Sequence, residues 1–298
     1  MSGKVSNTMK HKKSSNQLLE KGMHGIFLAA ASLSVIAVAI ICLFLFSNGL
    51  PAIKEIGLWQ FLTGMEWRPT NHLFSIFPMI VGSVYVTIGA LIIGVPIGVL
   101  TAIYMVYYCS AQYYRFFKSG VQLLAGIPSV VYGFFGLMVL VPWIRESFGG
   151  RGLSVLAAAI LLGMMILPTI ISMAETSIRS VPTSYYEASI GLGASHERSI
   201  FLVMVPAAKS GILTGIVLGL GRAIGETMAV IMVAGNQVMI PQSLLDGVRT
   251  MTTNIVLEMG YATDLHRQAL IGTAVILFVF ILLINLVLAL LKRGERHG

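Results

Sequence analysis

The sequence predicts an all-α, polytopic membrane bundle of six transmembrane helices, and three observations carry that prediction. First, 56% of the 298 residues are hydrophobic and only 11% are charged, with a mean hydropathy of +0.85. A soluble domain carries about 25% charged residues, so a water-soluble globule is excluded. Second, the charges bracket long silent stretches: none lies between Lys21 and Lys54, Arg68 and Arg115, Lys118 and Arg145, Arg151 and Glu175, or Arg267 and Lys292. Third, the lysines and arginines fall unequally on alternate sides of those stretches.

A helix of about 20 residues crosses a hydrocarbon core of about 30 Å. The spans are accordingly placed at 25–47, 77–108, 120–144, 153–177, 209–235 and 269–291. The second is long enough to tilt or extend past the bilayer, and the fifth alone contains charges. With the N-terminus inside, Lys4, Lys10, Lys12, Lys13, Lys21, Arg115, Lys118, Arg179, Arg198, Lys209, Lys292, Arg293 and Arg296 make thirteen cytoplasmic cations. Lys54, Arg68, Arg145, Arg151, Arg249 and Arg267 make six outside. Cytoplasmic segments are enriched in Lys and Arg, so both termini are expected in the cytoplasm. The net charge of +8 is thus read as orientation and attraction to lipid, with no nucleic-acid partner.

Residues 1–24 read as a basic, disordered cytoplasmic tail, residues 48–76 as a periplasmic connection, and residues 293–298 as a second cytoplasmic tail. The lead is long for a signal-peptide n-region and the apolar run after it exceeds about 7–15 residues, so an uncleaved anchor is expected. Tyr104, Tyr107, Tyr108, Tyr113 and Tyr114 gather at the inner end of the second span and Trp143 marks the outer end of the third, as interfacial anchors do. Pro96, Pro128 and Pro168 are expected to interrupt spans two, three and four, which a packed bundle tolerates. Cys42 and Cys109 form no CxxC pair, so neither a disulfide framework nor a metal site is read from them.

Polar chemistry enters the membrane at Gly211–Ala234, GILTGIVLGLGRAIGETMAVIMVA. At about 100° per residue, Gly211, Gly215, Gly219, Arg222 and Glu226 share one helical face within about 80°. Glycines four residues apart let a neighbouring helix approach closely, so this face points into the bundle. A charge at membrane depth costs at least about 2.5–3.5 kcal/mol and marks a pathway, a relay or an ion pair. Arg222 and Glu226, at i and i+4, can form a structural salt bridge. The functional reading is preferred: Arg222 offers a permanent cation to an anion, and Glu226 holds its guanidinium until substrate competes.

The stretch from Arg179 to Lys209, RSVPTSYYEASIGLGASHERSIFLVMVPAAK, reads as two short helices joined by a glycine elbow at Gly191 and Gly193, with Pro206 before the fifth span. By pattern it is an amphipathic loop on the membrane surface. Its residues resemble the EAA loop of ABC importer permeases: Glu187, Ala188 and Ser189, then Gly193, then Val203, Val205 and Pro206. Ser189 stands for the second alanine of that motif, and Val203 and Val205 for its isoleucine and leucine. The resemblance implies that Glu187, Ala188, Ser189, Gly193 and Pro206 couple the chain to an ATPase.

Further stretches, WRPT and FSIFPMIVGSVYVT within 67–87, GIPSVVYGFFGL at 126–137 and GRAIGETMAV at 221–230, resemble the PstC-type permease subunits of phosphate ABC importers. The resemblance spans residues 60–292 and implies the ABC type-1 importer permease fold, with its core at 77–292 and a coupling loop at 179–208. It implies that Arg222 and Glu226 are tied to phosphate passage. Implied partners are a PstA-like second permease, two copies of a PstB-like ATPase that binds ATP and Mg, and a PstS-like periplasmic binding protein. A similar Arg and Gly-Glu pattern occurs in sulfate and molybdate permeases, which leaves another oxyanion as the alternative substrate. A non-transporting scaffold in phosphate sensing is the alternative of another class.

No G-x-x-x-x-G-K-[ST] loop exists, because Lys209-Ser210, Lys118-Ser119 and Lys13-Ser14 lack the preceding glycine. The six histidines are scattered, and neither HExxH nor GxSxG occurs. A transport subunit is expected, with no catalytic residues, no resident cofactor and no metal, in a bacterial inner membrane.

Overall fold

The computed structural model describes the backbone of residues 3–294 and the side chains of Glu20 and residues 22–287. The chain opens with α1 (Gly3–Ile56), a single helix. The backbone is helical through residues 3–24, where a separate tail is expected, and continues into the first span. A short α2 (Leu58–Thr63) and the antiparallel strands β1 (Trp67–Arg68) and β2 (Leu73–Phe74) fill the connection, with Trp67 paired to Phe74 and Arg68 to Leu73.

The second span is α3 (Phe77–Ile103), which ends in a π-helical segment at Tyr104–Tyr108. Next come α4 (Ala111–Gly126), α5 (Ser129–Phe135), a π segment at Gly136–Leu140 and α6 (Val141–Phe148). The fourth span is α7 (Val155–Arg179), whose first turn is capped by the Ser154 hydroxyl accepting from Ala157 N. The loop segment holds α8 (Thr183–Gly191), α9 (His196–Ser199), a π segment at Ile200–Met204 and α10 (Val205–Ala207). After it come α11 (Lys209–Gly225), α12 (Met228–Val233), α13 (Met251–Met259) and α14 (Asp264–Gly294).

Among the described residues, five helical stretches are long and apolar enough to cross a membrane: Gly22–Ile56, Phe77–Tyr108, Ser129–Phe148, Val155–Arg179 and Asp264–Val287. A sixth is made by the pair His196–Ala207 and Lys209–Gly225, bent by 66°. Three expectations change in detail. Span three starts at Ser129 rather than 120, because Gly126 and Pro128 end α4: the ring of a proline disfavours helical backbone at the residue before it. Pro96 and Pro168 do not interrupt their spans; α3 and α7 run through them. The fifth span is not continuous over 209–235, since it breaks between α11 and α12.

In lipid there is little hydrophobic force between helices, so they associate through close packing. The centre is α7, against which α3 and α11 lie. One apolar cluster, including Val86, Ala90, Leu161, Met165, Ile166, Ile170, Ala223 and Val233, joins α3, α7, α11 and α12. At the loop end, Ile103, Ala174, Ile178, Ile200 and Ile212 form a second. At the opposite end, Phe61, Trp67, Phe74, Met79, Met251 and Leu270 form a third, gathering the hairpin, α13 and α14.

Candidate functional site

The glycine face of α11 is packed as the sequence predicts. A Cβ on Gly215 would lie 2.7 Å from Met173 Cβ, one on Gly219 3.2 Å from Ile170 Cγ1, and one on Gly211 would collide with the Ser177 hydroxyl. All three neighbours belong to α7. Arg222 lies thirteen positions along α11 from Lys209, about 20 Å at 1.5 Å per residue, in the last turn before the helix breaks. Its side chain is half-buried.

The expected i, i+4 pairing of Arg222 with Glu226 is not made. Gly225 ends α11, and Glu226 is extended at φ −69°, ψ 130°, so the helical geometry that aligns the two side chains stops one residue short. Glu226 turns to the next helix instead: its Oε1 accepts from Ala229 N at 3.2 Å, covering a first-turn donor of α12. The Thr252 hydroxyl donates to the Glu226 carbonyl at 3.2 Å, and the Thr227 hydroxyl to the Gly225 carbonyl at 3.2 Å. Among the described residues no hydrogen bond or ion pair engages the Arg222 guanidinium. Tyr132, whose hydroxyl donates to the Leu124 carbonyl at 2.9 Å, lies within electrostatic reach of that cation. Among the described residues the break therefore leaves the Arg222 guanidinium without a direct partner, beside polar backbone and the Glu226 carboxylate.

At the loop end, the two short helices and the glycine elbow are present. Gly193 has φ +85°, and α8 closes with Leu192 N bonded to the Ala188 carbonyl at 3.0 Å. Glu187, Ala188 and Gly193 are exposed, and the neighbouring Leu192 is 90% exposed, so an apolar edge points away from the bundle. Ser189 faces inward, its hydroxyl 2.9 Å from that of Ser199. Pro206 sits in α10, at the bend before α11.

Two polar clusters went unread in the sequence. Glu175, 2% exposed, accepts from Tyr114 Oη at 2.5 Å, Lys118 Nζ at 2.7 Å and Arg179 Nε at 3.1 Å, tying α4 to α7. The Arg179 guanidinium lies 4.7 Å from the Tyr114 ring centroid. At the opposite end Glu258, 6% exposed, accepts from Trp67 Nε1 at 2.7 Å and Arg249 Nη1 at 2.6 Å, and meets His266 Nε2 at 2.9 Å. Arg249 also donates to the Asn236 carbonyl and to Asn254 Oδ1, both at 3.0 Å, so one network binds the hairpin, the 234–250 loop, α13 and α14.

Residues 94–297 match the family described as binding-protein-dependent transport system inner membrane component. The chain belongs to this family. It is 39% identical over 282 residues to the probable ABC transporter permease protein YqgH of Bacillus subtilis (strain 168), with 91% of each chain covered. It is 33% identical over 282 residues to the phosphate transport system permease protein PstC of Mesorhizobium japonicum, covering 88% of this chain and 86% of that one. The PstC of Xylella fastidiosa (strain 9a5c) is 30% identical over 292 residues, with 91% and 90% covered. Within the family, then, the chain is a PstC-type permease.

Solved structures agree on the fold. A bacterial alginate ABC transporter in complex with alginate pentasaccharide-bound periplasmic protein gives a TM-score of 0.60 at 17% identity, covering 89% of this chain and 92% of that one. An inward-facing MetNI methionine ABC transporter gives 0.57 at 21%, covering 77% and 99%. The family member is a multi-pass inner-membrane transport subunit with the ABC type-1 importer permease fold, not a catalytic enzyme.

Proposed function

We propose that this permease forms one half of the path by which an ATP-driven importer carries inorganic phosphate across the cytoplasmic membrane, with both termini on the cytoplasmic side. The observation that carries the proposal is Arg222: a cation with no hydrogen-bond or ion-pair partner among the described residues, held on the glycine face where the fifth span breaks. Broken helices in transporters form substrate sites because their ends present polar backbone in an otherwise apolar environment. A guanidinium also offers a planar fork of donors that matches an oxyanion. The phosphate permeases among the relatives point the same way.

Phosphate is a mono- or dianion near neutral pH, so one arginine leaves charge uncompensated, and a PstA-like second permease supplies further donors. Glu226 acts beside Arg222 as a structural cap, holding the break open through Ala229 while adding the negative charge that speeds release. A periplasmic binding protein delivers the anion to the end bearing residues 51–75 and 236–268. At the other end two copies of an ATPase, which bind ATP and Mg, grip the exposed edge of α8 through Glu187, Ala188, Leu192 and Gly193. Closure of the ATPase pair moves that helix and turns the cavity outward; hydrolysis returns it.

The test is uptake into vesicles by the co-purified complex with its binding protein. Labelled phosphate accumulates in an ATP-dependent manner, and excess sulfate or molybdate does not displace it. Accumulation of sulfate or molybdate instead reassigns the substrate, and assembly without any oxyanion uptake supports the scaffold reading.

A further inference from the structure

We propose that His196 is a positioning residue for motion: wedged between the coupling helix and the loop end of the second span, it passes displacement of α8 to α3. The proposal rests on the coupling reading of the 179–208 segment given above.

His196 opens α9 and is half-buried. Its Nδ1 lies 2.8 Å from the Tyr186 hydroxyl, on α8, and the two rings meet edge-on at 5.8 Å. On its other sides the imidazole meets Tyr108 at 5.4 Å and Tyr107 at 6.5 Å, again edge-on at 73° and 80°. One imidazole is thus held by a tyrosine of the coupling helix and two of the second span, in the edge-to-face geometry that aromatic rings favour. Either tautomer makes the Tyr186 bond, since a hydroxyl both donates and accepts.

The surroundings suit transmission rather than simple anchoring. Tyr107 and Tyr108 belong to the π segment that ends α3, and a second π segment, Ile200–Met204, follows α9. Such π turns recur at functional sites, and His196 stands between the two at this end. The Ser189–Ser199 hydrogen bond of 2.9 Å fixes α8 to α9, so that His196 travels with the coupling helix. Beyond it α3 lies along both α7 and α11, the helix that carries Arg222. A continuous line of contacts therefore runs from α8 through His196 to α3 and on to the proposed substrate helix.

The experiment reads substrate imported per ATP hydrolysed by the reconstituted complex, using whichever of phosphate, sulfate or molybdate the wild type takes up. His196→Phe keeps a ring but loses the hydrogen bond, and Tyr186→Phe removes the same bond from the other side. Each is expected to lower the ratio about five-fold, the equivalent of a bond worth about 1 kcal/mol, and the double variant no further. Wild-type ratios in both single variants, or defects that multiply in the double, overturn the proposal. Tyr186→Phe deletes a single hydroxyl and preserves the test if a His196 variant fails to assemble. Gly193→Asp run in parallel separates two failures. Uncoupling there with wild-type ratios at His196 and Tyr186 overturns this proposal alone, whereas wild-type ratios throughout overturn the coupling reading and this proposal with it.

Discussion

Replacing Gly193 separates two demands that fall on the elbow of the coupling segment. The first is conformational: at φ +85° a residue with a Cβ is strained, by about 1–2 kcal/mol for an ordinary L-residue. The second is spatial. A Cβ built on Gly193 meets nothing within 4 Å, so this chain imposes no steric bar of its own. The magnitudes then order a series. Asn and Asp, whose short side chains tolerate the left-handed region, leave the elbow nearly intact. Alanine lowers its population by the factor of about 5–30 that 1–2 kcal/mol implies, and valine by more. Hydrogen exchange over 189–195 in the assembled complex follows that order. Transport per ATP does not: under the proposed coupling all four variants lose it, because a side chain at the exposed Gly193, beside a Leu192 that is 90% exposed, would intrude on the proposed ATPase contact. Full transport by Gly193→Asn would refute this reasoning and reduce the glycine to its backbone angle.

Other positions give shorter tests. Gly215→Leu places side-chain atoms where a Cβ alone would lie 2.7 Å from Met173 Cβ, and overpacking of this kind costs about 1–3 kcal/mol; a lowered midpoint in thermal unfolding is expected, and an unchanged one contradicts the packing. Glu175→Gln weakens hydrogen bonds to charged groups worth about 1.5–3 kcal/mol each. Because Lys118 and Arg179 keep 30% and 46% side-chain exposure and stay hydrated, the loss falls below that of a fully buried pair, and salt titration of stability checks it. Glu258→Gln cannot serve Trp67, Arg249 and His266 together, so with Trp59 and Trp143 replaced by Phe the Trp67 emission shifts; an unaltered spectrum sinks the network. Glu226→Gln keeps an acceptor for Ala229 N and holds the fold, whereas Glu226→Ala loses a cap worth about 1 kcal/mol, read as a difference in thermal stability between the two.

The membrane architecture was legible because it is written in local composition. Charge-free runs such as 22–53 and 152–174 report spans directly, and the glycine spacing at 211, 215 and 219 identified the face that meets α7. The break at Glu226 was not legible, since the apolar pattern runs on through Met228–Val233 without a proline, and only contact with Thr252 and the capping of Ala229 reveals it. Proline misled in the opposite direction: Pro96 and Pro168 look like breaks, yet the neighbouring helices keep α3 and α7 continuous. The Glu175–Arg179 pair at i, i+4 follows a helical spacing rule, but the partners that join these clusters to other elements are remote. Tyr114 and Lys118 lie 61 and 57 residues from Glu175, and Trp67 lies 191 residues from Glu258, and no spacing rule spans such gaps. Of the site itself, the charge of Arg222, its glycine face and the GRAIGETMAV resemblance are legible in the sequence, while its lack of a bond to Glu226 among the described residues follows only from the backbone geometry.

The proposed contact of the anion with Arg222 is tested most directly by ATP-driven uptake of labelled phosphate by the reconstituted complex carrying Arg222→Gln. Loss of uptake, with assembly and ATP hydrolysis still responsive to the loaded binding protein, is the predicted result. Phosphate flux at the wild-type rate through Arg222→Gln would remove Arg222 from the path of the anion.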